Sequence, residues 1–290
     1  MARDLYETYP VIKETFDTAS RILGYDLREL IDQDEEKLNQ TRYTQPAILT
    51  TSVAISRLLK EKGIEPDAVA GLSLGEYSTL VAAGALSFED AVALVAKRGQ
   101  FMETAAPAGT GKMVAVMNTP VDVIEEACQK AQDKGYVRPA NYNTPAQIVI
   151  GGDVAAVDAA VENLKEAGAK RLIPLKVSGP FHTALLEPAS RQLAEELDKV
   201  QFSDFRIPLV GNTEAKVMNE ADIKSLLARQ VMEPVRFYDS IATMQELGVT
   251  AYIEIGPGKV LSGFMKKIDK AAELVHVEDL SSLQALIENS

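Results

Sequence analysis

The sequence has few of the residues that mark secreted disulfide scaffolds and metal sites. Its 290 residues include one cysteine and two histidines. One cysteine cannot form an internal disulfide. Cys128 falls within a predicted helix and has no second cysteine or histidine at metal-ligand spacing, so we expect a buried thiol and no metal site.

Positive charge and long apolar runs are scarce as well. The chain carries 30 lysines and arginines against 42 aspartates and glutamates, a formal net charge of -12. This balance disfavours nucleic acid and anionic membranes as partners. The longest apolar stretch, 68–85, is interrupted by glycines and polar residues, so no bilayer span is expected. No signal-peptide pattern opens the chain, and we expect a cytoplasmic protein.

What the sequence does contain is an alternation of helical and strand patterns, which predicts an α/β fold. Helical periodicity occurs at 5–23, 45–62, 87–104 and 183–200. Short apolar runs typical of buried parallel strands occur at 68–71, 207–210 and 251–255. Functional residues are expected at the carboxyl ends of such strands.

Residues 112–177 have a different order of strand and helix patterns, which predicts the ferredoxin-like βαββαβ arrangement. The predicted elements are strands at 113–117, 137–142, 147–151 and 170–177, and helices at 120–134 and 154–167. Turn residues at 106–111 and 178–180 flank them. We therefore expect an α/β-hydrolase-like large domain (1–108 and 178–290) with an inserted ferredoxin-like subdomain (109–177), and a site in the cleft between them.

The strongest local motif is GLSLG at 71–75, between a predicted strand and a predicted helix. This is the context of a nucleophile elbow, in which small residues on either side allow a sharp turn that exposes the Ser73 hydroxyl. The following helix then directs its amino end towards a developing oxyanion. A glycine-rich turn with an ordinary hydrogen-bonded serine is the alternative interpretation.

A serine nucleophile needs a base, and histidine is the usual one. His276 lies in an alternating run at 274–278 and is expected to be a strand residue. His182 follows the turn at the proposed domain crossing, so we prefer it as the base, although a structural loop histidine stays possible. Arg98 lies late in a predicted helix, where it is either a solvated charge or a bidentate partner for a carboxylate.

Five motifs together resemble the malonyl-CoA:acyl-carrier-protein transacylase family in order and spacing. They are GLSLGEYS at 71–78, KRGQFM at 97–102, ANYNTP at 140–145, SGPFH at 178–182 and EIGPG at 254–258. The resemblance covers nearly the whole chain. It implies a ping-pong transfer of malonyl through an ester of Ser73, supplying fatty-acid synthesis.

The resemblance also implies roles for individual residues. His182 acts as the base, and Arg98 holds the malonyl carboxylate. Gln230 matches the position whose main-chain carbonyl orients the histidine, so that a dyad replaces a triad. Leu74 donates its backbone N–H to the oxyanion.

Further implications of the resemblance concern the acyl pocket and the partners. Asn143 lies near the acyl pocket, or is a turn-forming asparagine, and Phe181 resembles the bulky residue of malonyl-selective members. The substrates are a coenzyme A thioester and an acyl carrier protein, with no cofactor, and we expect a monomer. Because such carriers are acidic, a local basic patch is expected near the cleft. The candidates are Lys170, Arg171, Lys266 and Lys267.

Two positions depart from the family pattern. Leu72 stands where many members carry histidine, which we expect to tune the pocket. The chain opens with residues that resemble the helix after a Gly-Gln-Gly loop, so the first strand and its oxyanion glutamine are expected to be missing. Loss of one oxyanion donor typically lowers kcat by about 100- to 1,000-fold.

Three functions stay open at this point. The first is the transacylase. The second is a serine esterase or other hydrolase, which uses the same elbow, prefers water as acceptor and does not need Arg98. The third is a catalytically weak carrier-protein-binding domain, which binds without acylation of Ser73.

Overall fold

A computed structural model describes residues 1–177 and 179–288. Ser178, the first residue of the predicted second crossing, lies outside the described residues. In these two ranges, none of the helices combines the length and the apolar character that crossing a membrane requires.

The described residues form fourteen α-helices. These are α1 (Arg3–Thr8), α2 (Pro10–Leu23), α3 (Leu27–Gln33), α4 (Glu35–Leu38), α5 (Thr41–Glu61), α6 (Gly75–Ala82), α7 (Phe88–Ala105), α8 (Val121–Lys130), α9 (Val154–Glu166), α10 (Glu187–Leu197), α11 (Ile223–Gln230), α12 (Phe237–Glu246), α13 (Val260–Ile268) and α14 (Leu280–Glu288).

Eight β-strands lie between the helices. These are β1 (Val69–Ala70), β2 (Gly111–Met117), β3 (Val137–Thr144), β4 (Gln147–Asp153), β5 (Arg171–Pro174), β6 (Leu209–Val210), β7 (Ala251–Ile255) and β8 (Glu273–Val277). β1 pairs in parallel with β6, and β7 pairs in parallel with β8. The other four strands form an antiparallel sheet in the order β3-β4-β2-β5. The protein is therefore a mixed α/β structure, as predicted.

The helix predicted over 5–23 is wrong, because the structure has two helices there. Tyr9 separates them with extended backbone (φ -114°, ψ 121°). The steric demand of Pro10 on the residue before it disfavours helical backbone at Tyr9. The helix predicted from residue 183 begins at Glu187, after a 3-10 turn over Ala184–Leu186.

The three apolar runs predicted as parallel strands do become β1, β6 and β7. They do not share one sheet in the described chain, since β1 pairs only with β6 and β7 pairs only with β8. Apolar runs predict strands without specifying their neighbours. β8 contains His276, whose assignment to a late strand is confirmed.

The two largest hydrophobic cores of the described residues are formed by different elements. The larger one is enclosed by helices that include α2, α5, α7, α10 and α11. The second packs α8 and α9 on one face of the four-stranded sheet and contains Cys128, whose pKa is raised to about 12 by burial. Phe181 packs against the large core and also against the opposite face of that sheet. The segment around Phe181 and His182 therefore lies between the large core and the face of the sheet opposite α8 and α9.

Candidate active site

The site is built on the turn between β1 and α6. Ser73 has a φ of +53°, in the left-handed region that non-glycine residues rarely adopt. A Cβ at Gly71 would lie 2.2 Å from the backbone carbon of Gly75, so this position requires glycine. A Cβ at Gly75 would meet nothing within 4 Å. The predicted elbow is present, and only its first glycine is required sterically.

His182 lies within hydrogen-bond distance of the nucleophile. Its Nε2 is 2.8 Å from Ser73 Oγ, and its Nδ1 is 2.7 Å from the main-chain oxygen of Gln230. Because a carbonyl only accepts hydrogen bonds, Nδ1 carries the proton and Nε2 is free to accept one from serine. The geometry therefore brings together the base and the orienting carbonyl predicted from the sequence.

The environment of His182 keeps the imidazole neutral. Burial lowers its pKa, the Arg98 charge lowers it further, and the Gln230 carbonyl opposes both, leaving a pKa of about 4. A base must be unprotonated to accept the serine proton. His182 is thus available as a base throughout the neutral range.

Arg98, on α7, is one of the largest fully buried side chains, so the solvated interpretation is wrong. Its Nη2 donates to Ser73 Oγ at 3.1 Å and to Gln230 Oε1 at 3.0 Å, and its Nη1 donates to Gln45 Oε1 at 2.8 Å. Its Nε has no acceptor among the described residues. All three hydrogen-bond partners are neutral, although an arginine fork best matches a carboxylate.

The amino end of α6 supplies a backbone donor beside the nucleophile. The N–H of Leu74 has no hydrogen-bond acceptor in the part of the chain that the structure describes, whereas the N–H of Ser73 donates to Asn212 Oδ1 at 2.7 Å. The following helix begins at Gly75. Of these two adjacent N–H groups, only that of Leu74 is free to bind an oxyanion.

Asn143 and Leu72, two positions that the family pattern connects with the pocket, make other contacts. Asn143 lies on β3, is buried, and donates from Nδ2 to Gln147 Oε1 at 2.9 Å, while its Oδ1 has no partner among the described residues. Leu72 packs against the core formed by Val235, Phe237 and neighbouring side chains. No hydrogen bond joins Asn143 to Ser73 in the described chain, so the role of Asn143 stays a prediction.

The sequence analysis missed three polar residues of this site. Gln45 binds Arg98, and Asn212 binds the backbone of Ser73. The buried carboxylate of Glu76 accepts hydrogen bonds from Asn212 N at 3.1 Å and from Gln230 Nε2. Burial raises the pKa of Glu76 to about 7, although these bonds and the Arg98 charge oppose the rise. Asn212 could have been found, because it closely follows the predicted strand at 207–210.

Metal-ligating side chains do not converge on this site. Across residues 1–177 and 179–288, no group of three or more histidine, cysteine, aspartate or glutamate side chains could hold a metal ion. The chemistry available at the site is that of a serine nucleophile, a neutral histidine and a buried guanidinium.

Comparison with known proteins identifies the class of protein as an acyltransferase. The model of the acyl transferase domain family matches residues 1–284, and the chain belongs to that family.

Relatives within the family share one name. The malonyl CoA-acyl carrier protein transacylase of Bacillus subtilis (strain 168) is 48% identical, over 99% of this chain and 92% of its own length. The crystal structure of MCAT from Streptococcus pneumoniae is 73% identical, with a TM-score of 0.98 over 100% of this chain and 95% of that one. A malonyl-transacylase in complex with its type II PKS acyl-carrier protein is 43% identical, with a TM-score of 0.96 over 99% of this chain and 94% of that one. The resemblance stated from the motifs is confirmed.

Proposed function

We propose that this chain transfers a malonyl group from malonyl-CoA to the phosphopantetheine thiol of an acyl carrier protein, for fatty-acid synthesis. The observation that carries the proposal is Arg98. A buried guanidinium hydrogen-bonded to Ser73 Oγ, with only neutral hydrogen-bond acceptors, is suited to an acyl group that brings its own carboxylate. The names of the relatives support the same substrate.

The proposed reaction has two half-reactions of the same form. Ser73 Oγ attacks the thioester carbon as its proton passes to His182 Nε2, and the Leu74 N–H binds the oxyanion. The carbon–sulfur bond then breaks, and coenzyme A leaves with the proton from His182. In the second half, the carrier thiol gives its proton to His182 and attacks the malonyl ester. The bond between the acyl carbon and Ser73 Oγ then breaks, and Oγ takes the proton from His182. No cofactor enters either step.

A serine hydrolase is the second candidate, since it would use the same dyad with water as the acceptor. It does not account for Arg98. Burying a guanidinium is costly unless its donors are satisfied, and Nε has no acceptor among the described residues. A carboxylate-bearing substrate would use this donor capacity, whereas an ordinary ester would leave it unused.

The carrier protein would dock through positive charge near the cleft. Lys170 and Arg171 are exposed at β5, an edge strand, and Lys266 and Lys267 are exposed in the last turn of α13. None of the four takes part in a salt bridge of the described residues, so their charges are available to an acidic partner.

We also propose the finer architecture expected from the sequence. Residues 109–177 would be an inserted ferredoxin-like subdomain, supported by the antiparallel order β3-β4-β2-β5 and by two helices on one face. Residues 1–108 and 178–290 would be the α/β-hydrolase-like domain, supported by the elbow and the parallel pairs. A monomeric state and a cytoplasmic location stay predictions.

Mass spectrometry after brief mixing with malonyl-CoA tests the proposal. We expect a malonyl adduct on Ser73 that is absent in Ser73→Ala and much reduced in Arg98→Ala. The same adduct should pass to a phosphopantetheinylated carrier protein faster than it hydrolyses. Equal labelling of wild type and Arg98→Ala, or release to water alone, would favour the hydrolase. Binding of the carrier without any adduct would favour the binding domain.

A further inference from the structure

The backbone of Ser73 is held in a conformation that it would not adopt on its own. Its φ of +53° lies in the left-handed region, which is unfavourable for a residue with a Cβ. Such a conformation persists only where surrounding contacts determine it. Gly71 makes the turn sterically possible without fixing where Ser73 Oγ points.

The Asn212 side chain bridges the two ends of this turn. Its Nδ2 donates to the oxygen of Gly71 at 2.5 Å, and its Oδ1 accepts from the N–H of Ser73 at 2.7 Å. Asn212 is completely buried, so water does not compete for either bond. The amide orientation is determined, because the donor end faces a carbonyl and the acceptor end faces an N–H.

Asn212 is itself fixed from two directions. It follows β6, which pairs in parallel with β1, so it leaves the sheet at the same end as the elbow. Its backbone N–H donates to Glu76 Oε1 at 3.1 Å, and its Oδ1 accepts a second bond from Gln230 Nε2 at 3.3 Å. Glu76 lies in the first turn of α6, directly after the elbow. The loop after β6 and the elbow are therefore fixed to each other.

We propose that Asn212 is a positioning residue, which holds Ser73 in its left-handed conformation so that Oγ stays between His182 and Arg98. Asn212 also occupies the Ser73 N–H and so leaves the neighbouring Leu74 N–H as the donor for the oxyanion. The inference rests on the proposed role of Ser73 as the nucleophile. It adds a residue that has no hydrogen bond to His182 among the described residues.

The test compares Asn212→Asp and Asn212→Ala with Asn163→Asp. The Asn212→Asp variant would keep the shape of the side chain but lose the donor to Gly71. Asn163 is the matched control, because its Nδ2 donates to the oxygen of Ala127 at 3.0 Å, in the other core. Folding of each variant is checked by circular dichroism, and Asn212→Ser replaces Asn212→Ala if the latter does not fold.

Acylation of Ser73 is measured with malonyl-CoA and with acetyl-CoA. A displacement of the nucleophile by about 1 Å costs about 100-fold in rate, and we expect a loss of that order for both donors in the Asn212 variants. Because Arg98 is unchanged, the KM for malonyl-CoA should change little. The ratio of the acylation rates with malonyl-CoA and acetyl-CoA should also change little. The acid limb of the pH profile should also stay in place, because His182 is not altered.

Labelling with a fluorophosphonate separates this inference from the proposed function. The reagent reports nucleophile geometry whether or not malonyl-CoA is the substrate. Slow labelling of Asn212 variants with normal labelling of Asn163→Asp supports the positioning role, even if wild type does not react with malonyl-CoA. Labelling of folded Asn212 variants at the wild-type rate overturns it. So does a loss in Asn163→Asp equal to that in the Asn212 variants.

Discussion

The charge of Arg98 should set part of the acid limit of the nucleophile's reactivity. Arg98 lowers the pKa of His182 along with burial, to about 4. Replacing it by an uncharged side chain of similar length, Arg98→Met, removes the charge and leaves most of the burial. The pKa of His182 should then rise towards its ordinary value of 6.5. Since only neutral histidine is a base, the rate should begin to fall at a higher pH.

The size of the shift follows from the geometry. Arg98 Nη2 and His182 Nε2 bond to the same oxygen at 3.1 and 2.8 Å, so they lie no more than 5.9 Å apart. Two unit charges about 6 Å apart interact by about 3 kcal/mol at an effective dielectric constant of about 20, which is about 2 pKa units. Because burial is the larger cause of the lowered pKa, we expect the Arg98 charge to lower the pKa of His182 by only about 1 pKa unit.

The assay is the pH dependence of Ser73 labelling by an uncharged sulfonyl fluoride, which does not need Arg98 for binding. The midpoint of the acid limb should lie at about 4 in wild type and at about 5 in Arg98→Met. Arg98→Lys keeps a positive charge and is the control. The midpoint of its acid limb should lie near that of wild type. A limb that does not move in Arg98→Met would show that the Arg98 charge does not lower the pKa of His182. An equal rise in Arg98→Lys would show that packing sets the pKa.

Two further predictions concern the elbow and the carrier surface. Gly71→Ala should lower the rate of Ser73 labelling by about 100-fold, because the new Cβ would lie 2.2 Å from a backbone atom. The labelling rate of Gly75→Ala should stay within about twofold of wild type. Equal losses of labelling rate in the two variants would contradict this prediction. Reversing the charges of Lys266 and Lys267 to glutamate should raise the carrier KM about tenfold without changing acylation by malonyl-CoA. An unchanged KM in steady-state assays, or an equal rise in the control Lys60→Glu, would exclude this pair from the docking surface.

Local patterns predicted those parts of the fold that depend on local physics. The periodicities at 87–104 and 154–167 correspond to α7 and α9 within one or two residues. The helix predicted over 5–23 is interrupted because Pro10 disfavours helical backbone at Tyr9, and this local effect outweighs the hydrophobic periodicity. The separation of the parallel strands into two pairs could not be predicted, because an apolar run of four residues carries no information about its neighbour.

The site was predictable where the chemistry limits the choice of residues. Only two histidines were available as a base, and an elbow specifies its serine by the flanking glycines. Arg98 could not be assigned from its own surroundings, because a helix end is exposed in one fold and buried in another. Gln45 could not be found, since a glutamine in a helix is common in any α/β protein, whereas the position of Asn212 after a predicted strand was a usable signal.

Gln230 makes more contacts in this site than its place in a sequence motif indicates. Its main-chain oxygen orients His182, its Oε1 accepts from Arg98, and its Nε2 donates to the carbonyl oxygen of Ser73 at 2.9 Å. One residue thus contacts the proposed base, the proposed carboxylate clamp and the backbone of the proposed nucleophile. Its amide must point this way, because Nε2 faces the acceptors of Glu76 and Ser73 while Oε1 faces a guanidinium. The main-chain bond would survive a change of side chain, whereas the other two depend on glutamine.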